Sequence, residues 1–395
     1  MNKRDHQISD KSKKIKKDKK EKKNKDQLEG VVCFDDDNDD FEVVQNTIDN
    51  QTQQKKNKQK IESSDDSDSE MEYQRHSSQF KNIYKETKRG FTISIVVPSS
   101  IIDNAQSLEL KTYLVGQIAK ACGHFGVNEI IVYSNDRQQH MKNLVGDTRT
   151  TTTEFFVKNL EYIETPQYLR KALFPRHSAL RYTGLTNPLE GPHHLKITEW
   201  CAYREGVVIN RPTAHGKGSW VNIGLPKDCQ VDIQLEEGTR VTVKLNEKNF
   251  DNTRYYSGVV VSSNEPTEKL GLFWGYTVRV ANKFEDIFDE CPFEETGYDL
   301  KLGVSEQGQE IEHVDFRQHQ NFKHALIFFG GMEGIEGIIE QDERTKMSTE
   351  AIKKKFDSLI NPVPERGTRT IRTEESILVT MSSLYPKLRA IGLKL

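Results

Sequence analysis

Phe91–Ser100 reads "FTISIVVPSS", and the fold class turns on this stretch. It is a β-branched run that stops at a proline, the composition of a strand buried on both faces. Downstream, "NAQSLELKTYLVGQIAKACGHFGV" (Asn104–Val127) carries Leu110, Leu114, Ile118 and Ala121 at helical spacing. "NEIIVYS" (Asn128–Ser134) then returns to strand composition. Two strands joined by a long helix are parallel, because a hairpin cannot join them. The fold class is therefore α/β.

Further along, "FFVKNLEYIETPQYLRKALFPRH" (Phe155–His177) continues as helix and turn, and the pattern changes after "NPLEGPHHL" (Asn187–Leu195). Short strands follow at turn spacing: "GVVI", "SWVNIGL", "QVDIQL", "TRVTVKL", "YYSGVVVSS" and "LFWGYTVRVA". About five or six such strands suit a small barrel of the oligonucleotide-binding kind. Strand-and-loop α/β composition resumes from Phe284 with "YDLKLGVSEQG" and "HALIFFGGMEGIEG", and Thr373–Leu388 reads as a terminal helix. The expected units are a tail (1–88), an α/β part (89–188), an inserted barrel (189–283) and a second α/β part (284–395).

The tail explains why only 34% of the 395 residues are hydrophobic. The net charge of −3 hides a basic block at Lys11–Lys25 and acidic runs at Phe34–Glu42 and Glu62–Glu72. Blocks of like charge bury too little apolar surface to offset chain entropy, so disorder is expected. The lysines could serve as a nuclear address, a nucleic-acid arm or a plain solvated tail; the Ser-Asp run has the look of a kinase target. Five cysteines without a C-x-x-C pair argue against a disulfide framework and a zinc site. No apolar stretch approaches the roughly 20 residues of a membrane span, and the charged start is unlike a signal peptide. The expectation is a reduced, intracellular protein without a membrane partner.

Two loops carry the candidate chemistry. Glycines directly after a buried strand in "LIFFGGMEGIEG" let backbone N–H groups approach a ligand, and equally suit a tight strand-to-helix turn. In "NPVPERGTRTIRTEES" (Asn361–Ser376) two prolines stiffen the chain and Gly367 lets it bend. Thr373 suits an N-cap, but capping does not explain Arg369 and Arg372 interleaved with threonines. Positioned loops of this kind bind ligands.

These two motifs, with "AQSLELKTYLVGQIA", "YLRKALFP" and "GPHH", resemble the SPOUT class of RNA methyltransferases over about Phe91–Leu388. The likeness is to the eukaryotic and archaeal branch with an inserted barrel. The last loop is also similar to that of bacterial ribosomal-RNA uridine-N3 methyltransferases. The resemblance implies a C-terminal trefoil knot, a rare exception among folds, whose loops hold S-adenosylmethionine. Gly330, Gly331, Glu333 and Gly334 would form one wall. Asn361, Pro362, Gly367, Thr368, Thr370 and Ile371 would form the second, with Glu374 beside them, and the loop Gly303–Gly308 the third.

For catalysis the candidates are Arg372 and Arg369, stabilising a base that loses its proton, with Glu375 or Glu374 as proton acceptor or organiser. Charge at the helix N-terminus accounts equally well for both glutamates. Arg204, Arg211, His215, Lys217 and Trp220 in the barrel would bind RNA by stacking and phosphate contacts, or else form a solvated loop around a core tryptophan. His193 and His194 read as a turn rather than a metal site.

The resemblance further implies base methylation, first at uridine N3 of ribosomal RNA. It also implies a homodimer built through Ile377, Leu378, Met381 and Leu384. A nuclear or nucleolar setting is expected from the lysine block, otherwise a cytoplasmic one. Relatives in this branch associate with mitotic spindles and centromeres, so a non-catalytic scaffold that keeps the fold is the rival reading.

Overall fold

The computed structural model describes residues 89–135, 150–213, 218–246, 254–293, 297–331, 334–340, 342, 344 and 347–394. The tail expected over 1–88 lies outside the described residues. Six strands form one parallel sheet: β1 (Thr92–Pro98), β2 (Glu129–Tyr133), β8 (Thr277–Ala281), β9 (Leu300–Glu310), β10 (His324–Phe329) and β11 (Ser358–Asn361). Their order across the sheet is β11-β9-β10-β1-β2-β8. β1 is central and pairs with β10 on one side and β2 on the other.

The two-residue period of β1 divides the core. Ile93, Ile95 and Val97 face one cluster, which includes residues of helices α1 (Leu108–His124), α2 (Thr152–Glu164) and α4 (Thr373–Ile391). Val96 faces the opposite way, against Ile335, Ile338 and Ile339 of α3 (Gly334–Glu340). A sheet covered on both faces requires strands apolar on both faces, and that is what Phe91–Ser100 encodes.

In α1 the buried stripe differs from expectation at its start: Leu110 is 54% exposed. Lys111 takes the inward position, and its ammonium reaches Asp103 at 2.9 Å. That ion pair makes a buried lysine stem tolerable.

The inserted strands β3 (Tyr203–Ile209), β4 (Trp220–Asn222), β5 (Cys229–Gln230), β6 (Arg240–Leu245) and β7 (Tyr256–Val261) close into a barrel in the order β3-β4-β5-β7-β6. Val221, Ile223, Cys229 and Val243 fill it. "LFWGYTVRVA" is not a barrel strand: its Thr277–Ala281 pairs with β2 in the parallel sheet. "QVDIQL" (Gln230–Leu235) contributes only its first residue, the end of β5.

The barrel docks against the N-terminal edge of the sheet. A cavity of about 870 Å³ lies there, lined by Thr92, Asn128, Thr277 and His324 at the strand starts and by Glu205, Arg240 and Thr242 of the barrel. Arg240 joins the two parts, donating to both oxygens of Glu164 (2.6 and 3.0 Å) and to Glu205 (2.8 Å). Trp274 Nε1 and Thr242 Oγ1 donate to the other oxygen of Glu205 at 2.8 and 2.6 Å. Burial pushes the Glu164 carboxyl up, but the hydrogen bond from His193 and the charge of Arg240 bring it down to about 2. Gly275 passes beside it at φ +91°, where a Cβ would sit 2.2 Å from Glu164 Oε1. Only glycine fits that backbone and that gap.

Candidate active site

At the C-terminal edge of the sheet, three chain segments meet. Val304–Glu306 of β9, Gly330–Gly331 after β10 and Asn361–Val363 at the end of β11 line one pocket, together with Arg366, Thr370, Ile371, Thr373 and Ser376. Parallel strands deliver their following loops to the same edge, so residues far apart in sequence converge.

Gly330 forms the floor. A Cβ there would lie 2.5 Å from the carbonyl carbon of Gly334 and 2.6 Å from the N of Ile335. Only glycine fits there, because the turn into α3 folds back against the end of β10. Gly331 is roomier, with Ile338 Cδ1 at 3.3 Å, and Gly367 has nothing within 4 Å. Of these three glycines, Gly330 is the one where an added side chain would meet backbone. Thr373 Oγ1 donates to the Gly330 carbonyl at 3.3 Å, joining the head of α4 to the glycine loop.

Of the residues expected around a cofactor, Gly330, Gly331, Gly334, Asn361, Pro362, Thr370 and Ile371 line the pocket. Gly367 and Thr368 are exposed and Glu374 is half-buried, and none of the three lines it. Glu333 lies outside the described residues. Sequence reading passed over Arg366, although it sits between the second proline and Gly367, where a cation in a stiffened turn was itself a signal. Ser305 and Glu306, inside the loop taken as the third wall, were not singled out either.

The first helical residue of α4 is Thr373, so the N-cap is Arg372 and not Thr373. The Arg372 N–H donates to the Glu375 carboxylate at 3.1 Å. Glu375 is thus engaged in capping. Burial raises the Glu374 carboxyl above its ordinary range, and Arg372 Nη1 is 3.8 Å away. The side chain of Arg372 is 62% exposed, and Arg369 is exposed as well.

In the barrel, Arg204 is buried and is no RNA contact. Its guanidinium donates to the carbonyls of Ile223, Glu199, Lys196 and Leu195, so every direction is occupied by main chain. Arg211 is half-exposed, lies over the Trp220 ring at 4.1 Å and bonds Asp228 at 2.8 Å. Trp220 is buried and meets the Tyr255 ring edge-on at 5.1 Å, joining the start of β4 to the segment before β7. His215 and Lys217 lie outside the described residues. His193 and His194 both bond the Glu164 carbonyl, at 2.9 and 2.7 Å.

Ile377, Met381 and Leu384 are fully buried in the chain's own core and cannot form a dimer contact. Leu378 is 47% exposed.

Residues 92–384 match the family described as "Putative RNA methyltransferase". The 28S rRNA (uridine-N(3))-methyltransferase of Homo sapiens is 44% identical over 316 residues, covering 77% of this chain and 80% of that protein. The Mus musculus protein of the same name is 43% identical over 309 residues, covering 77% and 78%. That of Drosophila melanogaster is 40% identical over 316 residues, covering 77% and 64%.

Proposed function

Because the chain belongs to this RNA methyltransferase family, we propose that it methylates N3 of a uridine in the RNA of the large ribosomal subunit, with S-adenosylmethionine as donor. The observation that carries the reading is the convergence of three distant loops on one pocket, with Gly330 and Gly331 in its lining.

S-adenosylmethionine, when bound, supplies an electrophilic methyl group. Gly330, Gly331, Asn361, Thr370 and Ile371 would hold it, mostly through peptide groups. Uridine N3 carries a proton that must leave, and Arg372 and Arg369 at the rim supply positive charge for the resulting anion. Glu374 suits proton acceptance better than Glu375, since burial makes it more basic and Glu375 is engaged in the cap. The trefoil knot that the family resemblance implies would be formed by this C-terminal segment, whose Thr373 is bonded to the glycine loop.

RNA would be held by the barrel through Arg211 and the loop that follows it. The barrel and the pocket occupy opposite edges of the sheet, and the seven residues of β1 span about 23 Å at 3.3 Å per residue. The RNA therefore has to extend between the edges, or to come from a second copy. Leu110 and Tyr113 of α1 and Leu378 of α4 are exposed apolar residues on two helices that pack together, which supports a two-fold dimer formed there. The lysine tract supports a nuclear or nucleolar setting.

The test is to map modified uridines in ribosomal RNA from cells lacking the protein, then to restore them with wild-type chain or with Arg372→Ala. Loss of one N3-methyl uridine, restored by wild-type only, is expected. An unchanged modification pattern would favour the scaffold reading.

A further inference from the structure

We propose that Arg366 and Glu306 form a clasp across the mouth of the pocket, and that this clasp sets how fast the methyl donor leaves. The proposal rests on the reading of the pocket as the donor site.

Arg366 links two walls that are 60 residues apart in sequence. One guanidinium nitrogen meets Glu306 Oε1 at 2.6 Å, on the segment leading out of the sheet along β9. The same guanidinium folds its own loop: Nε donates to the Thr368 carbonyl at 3.1 Å and Nη2 to the Arg369 carbonyl at 2.7 Å. Three acceptors in different directions need a planar group with several fixed donors, which arginine has and lysine lacks. Glu306 is gripped from its other side, since Asn361 Nδ2 donates to its carbonyl at 2.9 Å, and Asn361 Oδ1 in turn accepts from the N–H of Val363 at 3.1 Å. Glu306, Asn361 and Arg366 all line the pocket. Two links therefore join the rims at Glu306, one from the Asn361 amide to its main chain and one from the Arg366 guanidinium to its carboxylate, and the second is the one carried by a cation.

That tie is built to open. The Glu306 side chain is 60% exposed and that of Arg366 is 20% exposed, so water can replace the ion pair at small cost. The same guanidinium holds the carbonyl of Arg369, so when the clasp opens the part of the rim that carries Arg369 moves with Arg366. Arg366 is accordingly a positioning residue: it orders the lip, and the exposed Arg369 and Arg372 project from that lip.

The experiment uses full-length protein as wild type, Arg366→Ala, Arg366→Lys and Glu306→Gln. Affinity for S-adenosylmethionine and S-adenosylhomocysteine is measured by calorimetry, and release of each by stopped flow at low and high salt. Arg366→Ala should release either ligand about tenfold faster, as the loss of charge-assisted bonds implies. It should raise KM for the donor more than it lowers kcat, and leave RNA affinity unchanged. Arg366→Lys keeps the charge but not the fork, so it should fall between Arg366→Ala and wild type. Glu306→Gln should quicken release at low salt and match wild type at high salt.

Release from Arg366→Ala at the wild-type rate would overturn the clasp. A parallel fall in RNA affinity would also overturn it, because the guanidinium would then be serving the substrate. If wild type itself bound neither ligand, the reading of the pocket would fail, which is a different result. The Lys and Gln variants keep the question answerable should Arg366→Ala fold poorly.

Discussion

Each edge of the parallel sheet carries an arginine set among acceptors, and the two arginines differ in almost everything but type. Arg240, at the N-terminal edge, lies between two carboxylates whose side chains are 7% and 4% exposed. Arg366, at the C-terminal edge, meets a carboxylate that is 60% exposed and two main-chain carbonyls of its own loop. Burial makes the first assembly costly to break, because an unpaired charge would be left out of water. Exposure makes the second cheap to break and remake. The same side chain fixes architecture at one edge and tunes a mouth at the other.

The largest effect is expected at Arg240. Arg240→Ala leaves Glu164 and Glu205 buried without their counter-charge, and removing one partner of such a set costs about 3–5 kcal/mol. Thermal denaturation should show a fall of many degrees. A small shift would mean that water enters the junction freely and that the two edges open with similar ease.

Next is the floor of the pocket. Gly330→Ala forces backbone aside and should weaken donor binding by about thirtyfold, or 2 kcal/mol. Gly367→Ala enters open space and should leave binding unchanged in the same calorimetric titration. Equal losses for both would remove the distinction between floor and lip.

A pH titration separates the edges again. Burial, and then the charge of His193, push the His194 imidazole down to about 3. It stays neutral in the folded protein while the unfolded chain takes up a proton below about 6.5. Its contribution is therefore fully present above pH 6.5 and is lost as pH falls toward 3, by up to about 1.4 kcal/mol per unit. Glu164 adds a second loss, present above about 4.5 and falling away toward 2. Melting temperature should drop between pH 6.5 and 5, and His194→Gln should flatten that drop. A drop of undiminished slope in the variant would assign it elsewhere.

The smallest effect belongs to Thr373→Val, which removes one long bond to Gly330 and should cost about 1 kcal/mol. It should appear as a several-fold rise in KM for the donor with RNA affinity intact.

Much of this was legible in sequence, where periodicity or backbone chemistry had one solution. The strand at Phe91–Ser100 and the helix after it follow from composition and spacing, and so does the glycine turn after Phe329. What could not be read was direction. Nothing in "LFWGYTVRVA" distinguishes a barrel strand from a sheet strand, since both are apolar and both follow turns. Arg204 looked like an RNA contact because carbonyls, its actual partners, leave no trace in a list of side chains. Leu110 and Lys111 exchanged places because an ion pair with Asp103 outweighed the preference for leucine inside. Above all, sequence order does not tell which edge of a sheet an insertion occupies, and so it hid the separation of barrel from pocket.

The pairing of β1 with β10 joins Thr92 to His324, 232 residues apart. During synthesis at about 5–20 residues per second, β1 waits roughly ten to fifty seconds for that neighbour to be made. Two faces of isoleucine and valine need cover throughout the wait. The barrel, whose strands lie within 203–261, closes on itself from nearby segments and has no such delay. A ribosome making this chain would thus carry a finished barrel beside an unfinished sheet. Agents that slow translation late in the message should then reduce yield of folded protein more than agents that slow it early.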